Sequence, residues 1–123
     1  MAGNPVGWFE IYVQDMTRAK RFYEAMLEIE LAKLPGTDLD LVAFPSSMTS
    51  YGAAGALVRM EGMPSGGNST LVYFSCTDCG PTSKRVVDAG GSIVKEKFSI
   101  GQYGHIALCI DTEGNAFGLH SMQ

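Results

Sequence analysis

The residue with the most unusual surroundings is Glu10. In the run VGWFEIYV, residues 6–13, its carboxylate lies between Phe9 and Ile11 and is flanked at i−2 and i+2 by Trp8 and Tyr12. A carboxylate with so few routes to water must be paired, protonated or exposed at a cavity. It could act as a general base; equally, it could be hydrogen-bonded to Tyr12, Tyr73 or a backbone amide, or sit in a dimer interface. Histidine, the side chain that moves protons near neutral pH, occurs only at positions 105 and 120. His120 is expected to face the same way as Glu10, either as a pocket residue or as a hydrogen-bonded histidine at a strand end; His105 reads as structural. Cys76-Thr-Asp-Cys79 has the spacing of a redox pair or half a zinc site, but no second C-x-x-C or H-x₃-H completes four ligands. Both cysteines are expected between sheet and helix, where Cys behaves as a small hydrophobe. Gly62 to Gly67 has neither common phosphate-binding spacing, so no nucleotide site is expected.

The elements that must position these groups come from periodicity. Residues 6–13 read as a strand, with Phe9, Ile11 and Val13 on one face and Trp8, Glu10 and Tyr12 on the other. Asp15 stands where an N-cap belongs, and Met16, Ala19, Phe22, Tyr23, Met26 and Leu27 recur at helical spacing. A shift of 63 residues repeats the arrangement: Trp8, Glu10 and Asp15 fall on Leu71, Tyr73 and Asp78. A second helical stripe follows, with Pro81 in its first turn and Gly90-Gly91 as its stop. Three more strand candidates follow each helix: 29–34, 39–44 and 54–60, then 92–98, 105–110 and 116–121. Each half therefore reads β-α-β-β-β, module one covering about 5–61, a Gly- and Pro-rich linker about 62–68, and module two about 69–123. The loop at residues 46–55 is small, polar and flexible, an ordinary connection or a lid. One helix covers only one face of a four-stranded sheet, so the uncovered faces must meet each other or a second chain, and a homodimer is expected.

Composition narrows the function classes. With 123 residues, 46% of them hydrophobic, the chain makes one core and one domain. A net charge of −4 with nine scattered Lys and Arg residues argues against nucleic acid. No apolar run approaches the roughly 18 residues that span a bilayer, and the N-terminus lacks a basic and apolar leader, so a cytoplasmic, unprocessed protein with no membrane partner is expected. Three cysteines, an odd number, fit a reducing compartment better than a disulfide framework.

The strand-Asp-helix run EIYVQDMTRAKRFYEAML at 10–27 and the closing IALCIDTEGNAFGLHS at 106–121 resemble the vicinal oxygen chelate superfamily, the group of glyoxalase I, extradiol dioxygenases and bleomycin resistance proteins. Thr112 stands where that family's closing D-P-x-G-N hairpin has Pro. The resemblance covers essentially the whole chain. It implies an α+β fold of two tandem β-α-β-β-β modules forming a cup-shaped mixed β-sheet with the helices outside. It also implies a divalent metal held by His and Glu in the cup, where open positions chelate substrate oxygens. The positions that correspond to those ligands are occupied here by Trp8, Ala56, Leu71 and Gly118, none of which binds a metal. No metal and no cofactor are therefore expected, and metal-dependent glyoxalase or dioxygenase chemistry does not carry over.

Two functions of different class remain. One is a small-molecule-binding module, with Trp8, Tyr12, Phe44 and Tyr73 offering surface to a hydrophobic or aromatic compound and Glu10 and His120 supplying polarity. The other is a metal-free lyase or isomerase with Glu10 or His120 as general base. Loss of any small-molecule role in favour of association is a third, since fold alone never establishes function.

Overall fold

The computed structural model describes residues 3–47 and 49–123; Met48 of the 46–55 loop and the first two residues of the N-terminal run lie outside the described residues. Module one runs β1 (Trp8–Tyr12), α1 (Met16–Leu27), β2 (Ala32–Lys33), β3 (Asp40–Ala43) and β4 (Ala54–Arg59). Module two runs β5 (Tyr73–Ser75), α2 (Cys79–Asp88), β6 (Ser92–Ser99), β7 (His105–Ile110) and β8 (Ala116–Ser121), with a short 3-10 turn at Gly101–Tyr103. The mixed β-structure is made as two four-stranded sheets with matching orders, β1-β4-β3-β2 and β5-β8-β7-β6. In each, the first and last strands of the module run parallel and the other pairs antiparallel.

Both repeated Asp residues cap their helices. Asp15 Oδ1 accepts the Arg18 amide at 3.0 Å, and Asp78 Oδ1 accepts the Gly80 amide at 2.9 Å. Each takes up one amide left without a partner in the first helical turn. Strand parity survives the repeat: Phe9, Ile11 and Val13 face the helices in module one, and Phe74 and Cys76 do so in module two. The fourth strands align one residue closer, so that Ala56 lies across from Glu10 and Gly118 across from Tyr73.

The strand expected at 29–34 pairs only at Ala32–Lys33. The end of α1 takes its donors: Glu28 adopts the left-handed conformation, the Ile29 amide bonds the Glu24 carbonyl, and the Leu31 amide bonds the Glu24 carboxylate. No such donor is free for a ladder.

One apolar cluster holds helix-facing residues of both modules, with Phe22, Tyr23 and Phe44 from module one against Phe74, Phe117 and Val86 from module two. The rings meet tilted or edge to face, Phe22 on Phe117 at 6.0 Å and Tyr23 on Phe74 at 5.7 Å between centroids. A β-carbon at Gly91 would lie 2.6 Å from the Ile110 carbonyl and 2.8 Å from the Phe22 ring, so this close approach after α2 requires glycine. The opposite face of the first sheet has its own small cluster, Leu41, Ala56 and Val58 with Tyr12 and Ala43. Among the described residues no helix is long and apolar enough to cross a membrane.

Candidate ligand site at the module junction

The alternation of β1 places Trp8, Glu10 and Tyr12 on the face turned away from the helices, and their side chains join. The Trp8 indole Nε1 donates to Glu10 Oε2 at 3.2 Å and the Tyr12 hydroxyl donates to Oε1 at 2.9 Å. Of the partners open to Glu10, Tyr12 is the one it takes, and Trp8 is added. Donating this hydrogen bond to Glu10, together with partial burial and the negative charge of Glu10, raises the Tyr12 phenol above its ordinary value. Tyr12 therefore stays a donor across the neutral range.

Beside these residues, a cleft of about 250 Å³ opens where β1 meets the chain between the modules. Phe9, Pro64, Val72 and Phe117 give it apolar walls, and Glu10, Tyr12, Asn68, Thr70 and Asn115 bring polar groups to it. Its volume is just under the roughly 300–1,000 Å³ of drug-sized ligand pockets and suits a smaller molecule.

The D-T-E-G-N turn between β7 and β8 builds this cleft by tying three distant segments together. Asp111 accepts the Glu113 and Asn115 amides at 2.8 and 2.9 Å and the Tyr23 hydroxyl of α1 at 2.6 Å. Burial first, and then the Asp111 charge, push the Tyr23 phenol well above its usual range. Asn115 donates to the Tyr12 carbonyl at 2.9 Å and accepts the Gly66 amide at 2.6 Å, fixing the linker against β1. Gly114 takes φ +81°, the left-handed value this turn needs. Glu113 accepts the Gln14 and Asp15 amides, both at 2.9 Å, and the Arg18 guanidinium at 2.6 and 3.0 Å. Burial alone would raise its carboxyl, but Arg18, the two amides and the Thr112 hydroxyl outweigh it and hold Glu113 at about 2.

The other expected site residues are placed elsewhere. Phe44 is a correction: it is 8% exposed within the core and packs on Phe9, Tyr23 and Phe74. Alternation along β3 explains it, because Leu41 and Ala43 face outward, which turns Val42 and Phe44 inward. Tyr73 and His120 lie in the second sheet, and neither lines the cleft nor bonds Glu10. His120 Nε2 is 2.7 Å from the Tyr103 carbonyl, which can only accept, so that nitrogen carries a proton. His105 begins β7 with its Nδ1 buried and unpartnered among the described residues. Cys79 is fully buried and Cys76 half-buried, both packed on the core, and burial is the main cause raising the Cys76 thiol. The 46–55 loop lends no described residue to the cleft.

The divalent metal that the family resemblance implies does not fit the residues present. The Tyr73 ring lies over Gly118, so a β-carbon there would come 2.3 Å from it; the place of a ligand side chain is filled. Ala56 is fully buried, and the Trp8 nitrogen is a donor already engaged with Glu10. Among the described residues, no three His, Cys, Asp or Glu side chains come together as a metal site.

Sequence reasoning missed Asn68, Thr70 and Asn115. Asn115 was visible inside the D-T-E-G-N run, whereas Asn68 stands at the end of the linker.

Comparison with known proteins agrees with this geometry. The family model described as the glyoxalase/bleomycin resistance protein/dioxygenase superfamily matches residues 6–119. A glyoxalase/bleomycin resistance protein from Albidiferax ferrireducens superposes with TM-score 0.73 at 19% identity, covering 94% of this chain and 98% of that one. A glyoxalase/bleomycin resistance protein/dioxygenase family enzyme from Burkholderia phytofirmans gives 0.76 at 12% identity, covering 95% and 98%. Glyoxalase I from Zea mays gives 0.72 at 19% identity, covering 96% of this chain and 46% of the maize protein. At these identities the likeness is one of fold. A comparison with curated protein sequences returned no match.

Proposed function

The chain belongs to the glyoxalase/bleomycin resistance protein/dioxygenase superfamily, and within that membership we propose that it is a cytoplasmic, metal-independent small-molecule-binding protein. Its ligand, a small hydrophobic or aromatic compound, occupies the junction cleft and meets Glu10 and Tyr12. The observation that carries this reading is the cleft itself, apolar-walled, with a carboxylate and a phenol at β1 already joined by a hydrogen bond. Polar groups held in place before the ligand arrives lose little freedom on binding. The lyase or isomerase alternative draws less support, since both Glu10 oxygens already accept hydrogen bonds and His120 Nε2 is engaged by a carbonyl.

The test needs a ligand first, obtained by native mass spectrometry of freshly isolated protein. Glu10→Gln should then weaken that ligand about 5- to 150-fold by calorimetry, the loss of one hydrogen bond of roughly 1–3 kcal/mol. Thermal unfolding should change little. Unchanged affinity would place the site elsewhere.

A homodimer is part of the same proposal. Leu71 and Tyr73 remain 40% and 45% exposed on a single chain, apolar surface that a second copy would cover. Sedimentation at micromolar concentration should give twice the 13.2 kDa chain mass; a monomer there would contradict it.

A further inference from the structure

The geometry around Glu10 specifies the charge of the ligand, an inference that rests on the binding reading above. Each carboxylate oxygen accepts one hydrogen bond, from the Trp8 indole and the Tyr12 hydroxyl. Both donors are neutral. The ion pairs among the described residues join Arg18 to Glu113, Lys20 to Glu24, Arg85 to Glu28 and Lys97 to Asp78, and none includes Glu10. A carboxylate offers about four acceptor positions, so Glu10 keeps room for two more donors and an uncompensated negative charge.

This charge is held in position. The three side chains stand at i, i+2 and i+4 of one strand, and two hydrogen bonds fix the carboxylate between two aromatic groups. Beneath them the paired strand presents Ala54, Ala56 and Val58, across from Trp8, Glu10 and Tyr12, and Tyr12 packs with Ala56 and Val58. Trp8 is 43% exposed and Glu10 is exposed beside it, so the indole and the carboxylate are both open to an incoming ligand.

Consider what such a seat favours. An anion is repelled. A neutral hydroxyl gains one ordinary hydrogen bond. An ammonium gains a charge-assisted bond to Glu10 and the attraction of nearby aromatic rings for a cation. The net charge of −4 draws cations toward the protein as well. We therefore propose that this site recognises a small organic cation, an aromatic or alkyl compound whose ammonium group binds Glu10 between Trp8 and Tyr12 while its apolar part lies in the junction cleft.

Trp8 is the only tryptophan in the chain, so its fluorescence and its indole N–H signal report on the site directly. Three probes of one size separate charge from shape: benzylammonium, benzyl alcohol and benzoate. Titrated at pH 7, benzylammonium should saturate the Trp8 signal with at least tenfold higher affinity than benzyl alcohol, and benzoate should leave it unmoved. In Glu10→Gln, its folding verified by an unchanged unfolding midpoint, benzylammonium should fall to the level of benzyl alcohol. Equal affinities across the charge series, or a cation preference that persists in Glu10→Gln, would overturn the cation assignment and leave the binding reading standing. Failure of all three probes to move Trp8 would overturn both.

Discussion

Replacing Phe22 with alanine should lower the folding free energy by about 3–5 kcal/mol, the range for removing a buried aromatic side chain. Phe22 is 1% exposed. It projects from α1 of the first module, stacks edge-on against Tyr23 at 4.9 Å and reaches Phe117 of the second module at 6.0 Å. Its ring also lies against Gly91 and the core near Val86. The truncation thus opens a void where the modules meet, and that void cannot close without moving one sheet relative to the other. Urea unfolding at 25 °C should show the whole chain losing stability in one transition. Glu10→Gln, at an exposed position, should change stability by no more than about 0.5 kcal/mol. A cost below about 1 kcal/mol for Phe22→Ala, or two separate transitions, would mean that the modules do not depend on a shared core.

Acid should remove a second large contribution. Glu113 is held at about 2 in the folded protein against an ordinary 4.5, and its side chain is fully buried against Arg18. Because the folded value is the lower one, the unfolded chain binds the proton first. The stabilisation is complete above about pH 5 and is lost as pH falls from there through 2. Its size is about 3 kcal/mol, from a difference of about 2.5 units at 1.36 kcal/mol each. Lys97 and the Gly80 amide lower Asp78, and the Leu31 amide and Lys20 lower Glu24, in the same direction. Both of those carboxylates are much more open to water, so their share is smaller. Glu113→Gln should therefore be less stable at pH 7 and distinctly flatter between pH 5 and 2, as measured by unfolding at each pH. A variant that matches the parent slope would show that the Glu113 contacts contribute little.

The β-α-β-β-β repeat was legible because it depends on local signals: two Asp caps, a period-two strand before each, and a helical stripe after each. The union of Trp8, Glu10 and Tyr12 was legible for the same reason, since alternation alone puts them side by side. Phe44 was not, because both faces of β3 are apolar: Leu41 and Ala43 outward, Val42 and Phe44 inward. Hydrophobicity cannot choose between faces in such a strand. The cleft itself was hidden for another reason. Its walls come from β1, the linker and the start of β8, joined by hydrogen bonds such as Asn115 to Tyr12 and Gln14 to Glu113, about a hundred positions apart. No periodicity links residues at that distance. The partner of His120, the Tyr103 carbonyl, belongs to a turn that only the folded chain brings near.

Native mass spectrometry of the freshly isolated protein, before and after treatment with a chelator, is the most direct test of metal-independent ligand binding. The expected spectrum contains a bound organic molecule that persists through chelation and is absent from Glu10→Gln isolated in parallel. A stoichiometric divalent metal whose removal releases that molecule, or a protein that carries nothing in either state, would contradict the account.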